Sequence, residues 1–144
     1  MNRQRGFSLL ELLAVLLIIS VATGVFFGYN YTQRDTVRLR SAVGELRQFL
    51  RLAQGYALLE GQENVCVYDG QKHVFRETLR NRELALPEAA TVGLDDADGG
   101  TETPRFVTRF YPDGSATGGT VHLSAAGLEL TVRIDPVLGD TSVE

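Results

Sequence analysis

Glu11 is the one charged residue in the run from Phe7 to Phe27, FSLLELLAVLLIISVATGVFF, which is twenty-one residues long. A carboxylate in such a span costs roughly 2.5 to 3.5 kcal/mol at the centre of a bilayer, less near its edge, and usually has a partner and a task. No basic residue lies within the run. If the chain is cut after Gly6, however, Phe7 becomes a free amine four residues before Glu11, on the same helical face. Within one chain the two groups pair only loosely. Between identical helices packed side by side, the amine of one subunit can neutralise the carboxylate of another, so the chemistry written into this spacing is that of assembly.

Other residues able to do chemistry are poorly supported by their neighbours. His73 and His122 fall in predicted strands with no acid or nucleophile beside them, so surface or satisfied histidines are expected. Cys66 is the single cysteine; no intrachain disulfide can form, and a small buried apolar side chain is the expectation. Asp95-Asp96-Ala97-Asp98-Gly99-Gly100 gathers carboxylates of the kind that suit a hard cation. It lacks the later ligands and the bidentate Glu of a calcium loop, and a solvated acidic loop is expected. The expectation is therefore of no enzyme, no catalytic residue, no cofactor and no metal.

The element that positions Glu11 is the apolar run itself, long enough to span a bilayer. A cleaved secretory signal has an apolar core of about 7 to 15 residues and an A-x-A-like site, and Val21-Ala22-Thr23 fits that poorly. Arg3 and Arg5 precede the run with no acid, which places the N-terminus in the cytoplasm by the positive-inside rule and the C-terminal domain outside it. Arg34, Arg38 and Arg40, offset by Asp35, make the bias modest. With 44% hydrophobic and 22% charged residues, the chain of 144 residues is neither disordered nor multispanning. Its net charge of −4 is a poor overall balance for binding DNA through phosphates.

Beyond the span, Val37, Leu39, Val43, Leu46, Phe49, Leu50, Ala53 and Ala57 recur at three- and four-residue spacing, which predicts an amphipathic helix continuing to Glu60 with Gly61 as its cap. Gly24 and Gly28 are expected to loosen this helix near the membrane, and Gly44 and Gly55 to thin it. Short β-rich pieces follow: 65–68 and 73–76 around an Asp69-Gly70 turn, then 90–94, 106–111, 120–123 and 128–134. The expected fold class is α+β, a long N-terminal helix, half transmembrane and half amphipathic, packed on antiparallel β-sheet. The expected divisions are a cleaved basic leader (1–6), a transmembrane or filament-core helix (7–28), its amphipathic continuation (29–60) and a β-rich globular domain (61–144).

The stretch Arg5-Gly6-Phe7-Ser8-Leu9-Leu10-Glu11-Leu12-Leu13 resembles the class III leader and cleavage motif of type IV pilins and of the pseudopilins of type II secretion. The resemblance implies that a prepilin peptidase cuts between Gly6 and Phe7 and N-methylates Phe7, and that Glu11 guides docking into a growing filament. Phe110-Tyr111-Pro112-Asp113-Gly114-Ser115, followed by Gly118-Gly119-Thr120-Val121-His122-Leu123, narrows it. This hairpin is similar to that of H-type minor pseudopilins and the related FimT/FimU minor pilins, the GspH/FimT family, and the strand Thr131 to Asp135 looks like their last. Residues 61 to 105 carry no such likeness.

What the resemblance implies is a structural minor pseudopilin near the tip of the periplasmic pseudopilus, joining the tip complex to the major shaft for export of folded proteins across the outer membrane. The implied partners are the I-, J- and K-type minor pseudopilins, the major G-type pseudopilin, the prepilin peptidase and the inner-membrane assembly platform. The implied location is the inner membrane, single-pass, with the domain in the periplasm, and the periplasmic pseudopilus after assembly. The alternative is a minor type IV pilin in pilus assembly or DNA uptake. After Arg133 the chain has no basic residue but carries Asp135, Asp140 and Glu144, which weakens a role in nucleic-acid binding.

Overall fold

The computed structural model describes residues 8–95 and 105–144. Helix α1 runs Leu9–Glu60, and eight antiparallel strands follow: β1 (Asn64–Asp69), β2 (Val74–Glu77), β3 (Glu83–Ala85), β4 (Thr91–Leu94), β5 (Arg105–Phe110), β6 (Gly119–Ala125), β7 (Leu128–Ile134) and β8 (Thr141–Val143). The chain divides into two compact units at Arg34/Asp35. In the first, the side chains from Leu9 to Phe26 are all exposed. Gly24 lies within unbroken helix. Gly44 and Gly55 likewise interrupt nothing.

The second unit has its own core. Leu39, Val43, Leu46, Phe49, Leu50, Ala53 and Ala57 of α1 are buried, one stripe at the spacing of the α-helical period. Gly61 at φ +63° ends the helix, in the left-handed conformation that glycine adopts without penalty. Two four-stranded sheets complete the unit, one in the order β3-β2-β1-β5 and the other β4-β6-β7-β8. Their inward residues include Cys66, Phe75 and Phe110 from the first and Val121, Leu123, Val132 and Ile134 from the second. Burying each large apolar side chain stabilises the unit by about 1.5 to 3 kcal/mol.

Alternation set most of this pattern. β1 reads buried and half-buried in strict turn, as a strand with one covered face must. The β1–β2 connection differs from the two-residue turn expected at Asp69-Gly70. Asp69 pairs with Val74, leaving four residues in the loop. Asp69 Oδ1 accepts the N–H groups of Gln71 at 3.0 Å and Lys72 at 3.1 Å, and His73 closes the turn at φ +57° instead of lying in a strand. The Asp side chain thus organises a longer loop by bonding backbone ahead of it.

Two buried or half-buried polar side chains tie the strand connections to α1, and a third closes a loop on itself. Asn64 Nδ2 donates to the Ala53 carbonyl at 3.0 Å while its Oδ1 accepts the Leu79 N–H at 3.0 Å. Gln54 Nε2 donates to the carbonyls of Gly114 at 2.7 Å and Leu138 at 2.8 Å. That joins the Pro112-Asp113-Gly114-Ser115 turn and the Pro136–Gly139 turn to one helical side chain. Gly139 sits at φ +62°, where an added Cβ would collide with Gln54 and lie 2.5 Å from the Gly114 carbonyl. Glu77, almost fully buried, accepts backbone N–H groups from Leu79 and Arg80 at 3.0 to 3.2 Å, so its carboxylate is satisfied by the loop it closes.

Candidate functional site

Glu11 stands in the first turn of α1. There a carboxylate interacts favourably with the positive end of the helix dipole. The backbone around it is regular, with Ser8 O accepting from Glu11 N at 3.0 Å and from Leu12 N at 3.2 Å. The side chain is exposed, as are those of Leu9, Leu10, Leu13, Leu16, Leu17 and Ile18. Leu9–Phe26 is long and apolar enough to cross a membrane. Gly6 and Phe7, the expected cleavage pair, lie outside the described residues. The arrangement offers a carboxylate with no side-chain partner among the described residues, on an apolar helical stretch whose described side chains are all exposed, a surface suited to lipid or to other helices and not to a bound small molecule.

The histidines are held by neighbours that sequence reading did not supply. Tyr68 Oη lies 2.7 Å from His73 Nδ1, and His73 Nε2 lies 3.1 Å from the Pro87 carbonyl. A carbonyl only accepts, so Nε2 donates and Nδ1 takes the Tyr68 proton. Burial, more than the charge of Asp69, pushes the Tyr68 hydroxyl above its ordinary range.

His122 has two acids against it. Nε2 is 3.1 Å from Asp95 Oδ2 and Nδ1 is 3.2 Å from Glu129 Oε1, with Thr131 Oγ1 at 3.1 Å from the same Nδ1. Both carboxylates are mostly exposed, so these surface pairs contribute little to stability. Gly93 pairs with His122 across β4 and β6, and a Cβ there would sit 3.3 Å from the His122 Cβ. The missing side chain leaves room for the ring. Asp95 is 27 residues from His122 in sequence, and only the register of β4 on β6 brings them together.

Cys66 is fully buried. Burial first, and the nearby Glu77 charge second, push its thiol well above the usual range, which makes it a poor nucleophile. Among the described residues no group of three or more His, Cys, Asp or Glu side chains could hold a metal ion. Asp96 and Asp98 of the acidic loop lie outside the described residues.

An apolar N-terminal helix with a carboxylate in its first turn, continuing into a helix packed on antiparallel sheets, defines the type IV pilin-like class of membrane-anchored, single-pass subunit. The profile of the prokaryotic N-terminal methylation motif matches residues 1–27, and that of the type II transport protein GspH matches residues 42–138. The chain belongs to the GspH family.

Solved structures agree on the fold. The chain is similar to the minor pseudopilin EpsH from the type 2 secretion system of Vibrio cholerae, at 17% identity over 72% of this chain and 93% of that one, with a TM-score of 0.55. It is also similar to the type IV minor pilin FimU of Pseudomonas aeruginosa, at 17% identity over 79% of this chain and 92% of that one, with a TM-score of 0.59. No curated protein sequence matches the chain.

Proposed function

We propose that this protein is a structural minor pseudopilin of a type II secretion system, acting by assembly and not by catalysis. The observation that carries the reading is the GspH match across residues 42–138, preceded by the exposed apolar stretch Leu9–Phe26 whose one charge is Glu11. Residues 1–6 serve as the leader, cut between Gly6 and Phe7, and Phe7 is methylated. Residues 7–28 hold the subunit in the inner membrane before assembly, 29–60 continue the helix, and 61–144 form the periplasmic domain.

In the filament, the Phe7 amine of one subunit neutralises Glu11 of a neighbour, while Leu9, Leu13, Leu16 and Leu17 pass from lipid into a shared helical core. Both environments are apolar, so the transfer itself is nearly neutral. Direction comes from the ion pair, which is strong where water is scarce. The subunit sits near the tip, between the I-, J- and K-type minor pseudopilins and the G-type shaft.

The test is a deletion strain with and without complementation, scored together for supernatant proteome, twitching motility and DNA uptake. Folded exoproteins trapped in the periplasm, with normal motility and uptake, are expected. Normal secretion with lost piliation or transformation would assign the chain to type IV pili instead.

A further inference from the structure

We propose that the open edge of β3, with the groove beside it, is a docking site for an extended cationic polypeptide segment of a partner protein, added as a fifth strand to the first sheet. The register carries the first half of the argument. Val74 pairs with Ala85 and Arg76 with Glu83, while Leu86 N bonds to His73 O at 3.1 Å and Glu77 N to Arg82 O at 3.1 Å. In an antiparallel ladder the bonded residues alternate. The backbone groups of Arg82, Leu84 and Leu86 therefore face β2, and those of Glu83 and Ala85 face away from the sheet. Both residues are exposed.

Two of the other three edges have an outer carbonyl engaged. On β5, Arg109 O accepts Thr117 N at 2.9 Å and Phe110 bridges to Ala116. On β4, Leu94 O accepts from Arg105 Nη2 at 3.3 Å. The edge at β8 has Thr141 fully buried. An edge left open is a template for strand addition.

The groove carries the second half. From Ala85 the chain runs on as Leu86-Pro87-Glu88-Ala89, forming one wall of an open groove of about 770 Å³, and Arg38, Ser41, Ala42 and Glu45 of α1 form the other. Ala42, Ala85, Leu86 and Ala89 give it a shallow apolar floor fitted to small side chains. Its rim holds two carboxylates, Glu45 and Glu88, against one guanidinium, Arg38, and Glu83 adds a third, exposed on the edge strand itself and opposite Arg76 of β2. Among the described residues Glu83, Glu88 and Arg38 form no ion pair, and Glu45 accepts only from Ser41 Oγ at 3.2 Å. A strand with small apolar side chains on one face and Lys or Arg on the other matches both features. Main-chain bonds to Glu83 and Ala85 would supply the affinity, and the rim the choice of charge.

The test uses the full chain in zwitterionic nanodiscs and a fluorescein-labelled acetyl-Lys-Val-Lys-Val-Lys amide, with the corresponding Glu-Val peptide as control, read by anisotropy. Saturable binding of the basic peptide, at least tenfold tighter than the acidic one and weakened by salt, is expected. Ala85→Pro removes only an outward N–H, a position where proline is tolerated on an edge strand, and should weaken binding at least tenfold. The surface pair Glu83→Lys with Glu88→Lys should do the same without touching the core, and serves if the proline variant fails to fold. Equal binding of the two peptides would overturn the proposal. So would binding indifferent to the variants, or sedimentation showing the edge occupied by a second copy of the chain.

Discussion

Asn64 reaches from the first residue of β1 to the carbonyl of Ala53, 3.0 Å away and a full two turns back from the end of α1. The same buried amide holds the Leu79 N–H with its oxygen, so one side chain fixes the exit of the helix and the connection after β2. Asn64→Ala removes both hydrogen bonds of a buried side chain, leaving the Leu79 N–H to Glu77 alone, and should cost about 1 to 3 kcal/mol. Urea unfolding of the variant, with an unchanged dependence on denaturant, checks this.

Glu11→Ala removes the charge while leaving the first helical turn intact. Cleavage at Gly6 should proceed at near wild-type extent, whereas co-purification with filament subunits should fall severalfold. Unchanged co-purification would count against a role for the carboxylate in assembly. Gly6→Ala should act earlier, leaving the leader attached by mass.

Cys66 should resist a thiol reagent in the folded protein and react stoichiometrically once denatured, because burial and the Glu77 charge hold its proton. Glu77→Gln sets an amide N–H₂ against the N–H groups of Leu79 and Arg80. It should destabilise the domain by about 1 to 3 kcal/mol and bring the thiol into reach of the reagent.

Acid should loosen the 135–140 turn. The Thr141 N–H, followed by the Arg51 guanidinium, holds the Asp140 carboxyl below its ordinary range, and Ser115 does the same for Asp113 through its hydroxyl and its N–H. A depressed carboxylate stabilises the fold above its unfolded value, about pH 4, and that contribution is lost as pH falls through the lower folded value. Melting curves from pH 6 to pH 2 should show a steeper acid fall for the wild type than for Asp140→Asn.

Gly44→Ala and Gly55→Ala should each stabilise the domain by about 0.5 to 1 kcal/mol. An added methyl meets nothing within 4 Å at either place, so only the helix preference changes. Thermal melts of the two variants decide this.

Periodicity made α1 legible through Glu60, since its buried stripe and its capping glycine both obey local rules. The strands with alternating apolar residues, 128–134 above all, were legible for the same reason. β3 and β8 were not: each has three residues, and Glu83-Leu84-Ala85 offers one inward side chain, too short a pattern to register as alternation. Nor did the chain announce that its strands divide into two sheets, which depends on how the 115–119 segment leaves β5. The acids beside His122 were hidden because strand pairing, and not spacing, delivers Asp95 to it.

The lone cysteine, sealed at the centre of the first sheet, leaves the outside of the molecule free of thiols among the described residues. A single cysteine placed on β3, on the 136–139 turn or on the exposed face of α1 would then be the only one open to a bifunctional reagent. Neighbours in an assembled filament could be charted position by position, with each cross-link assigned to one site by construction.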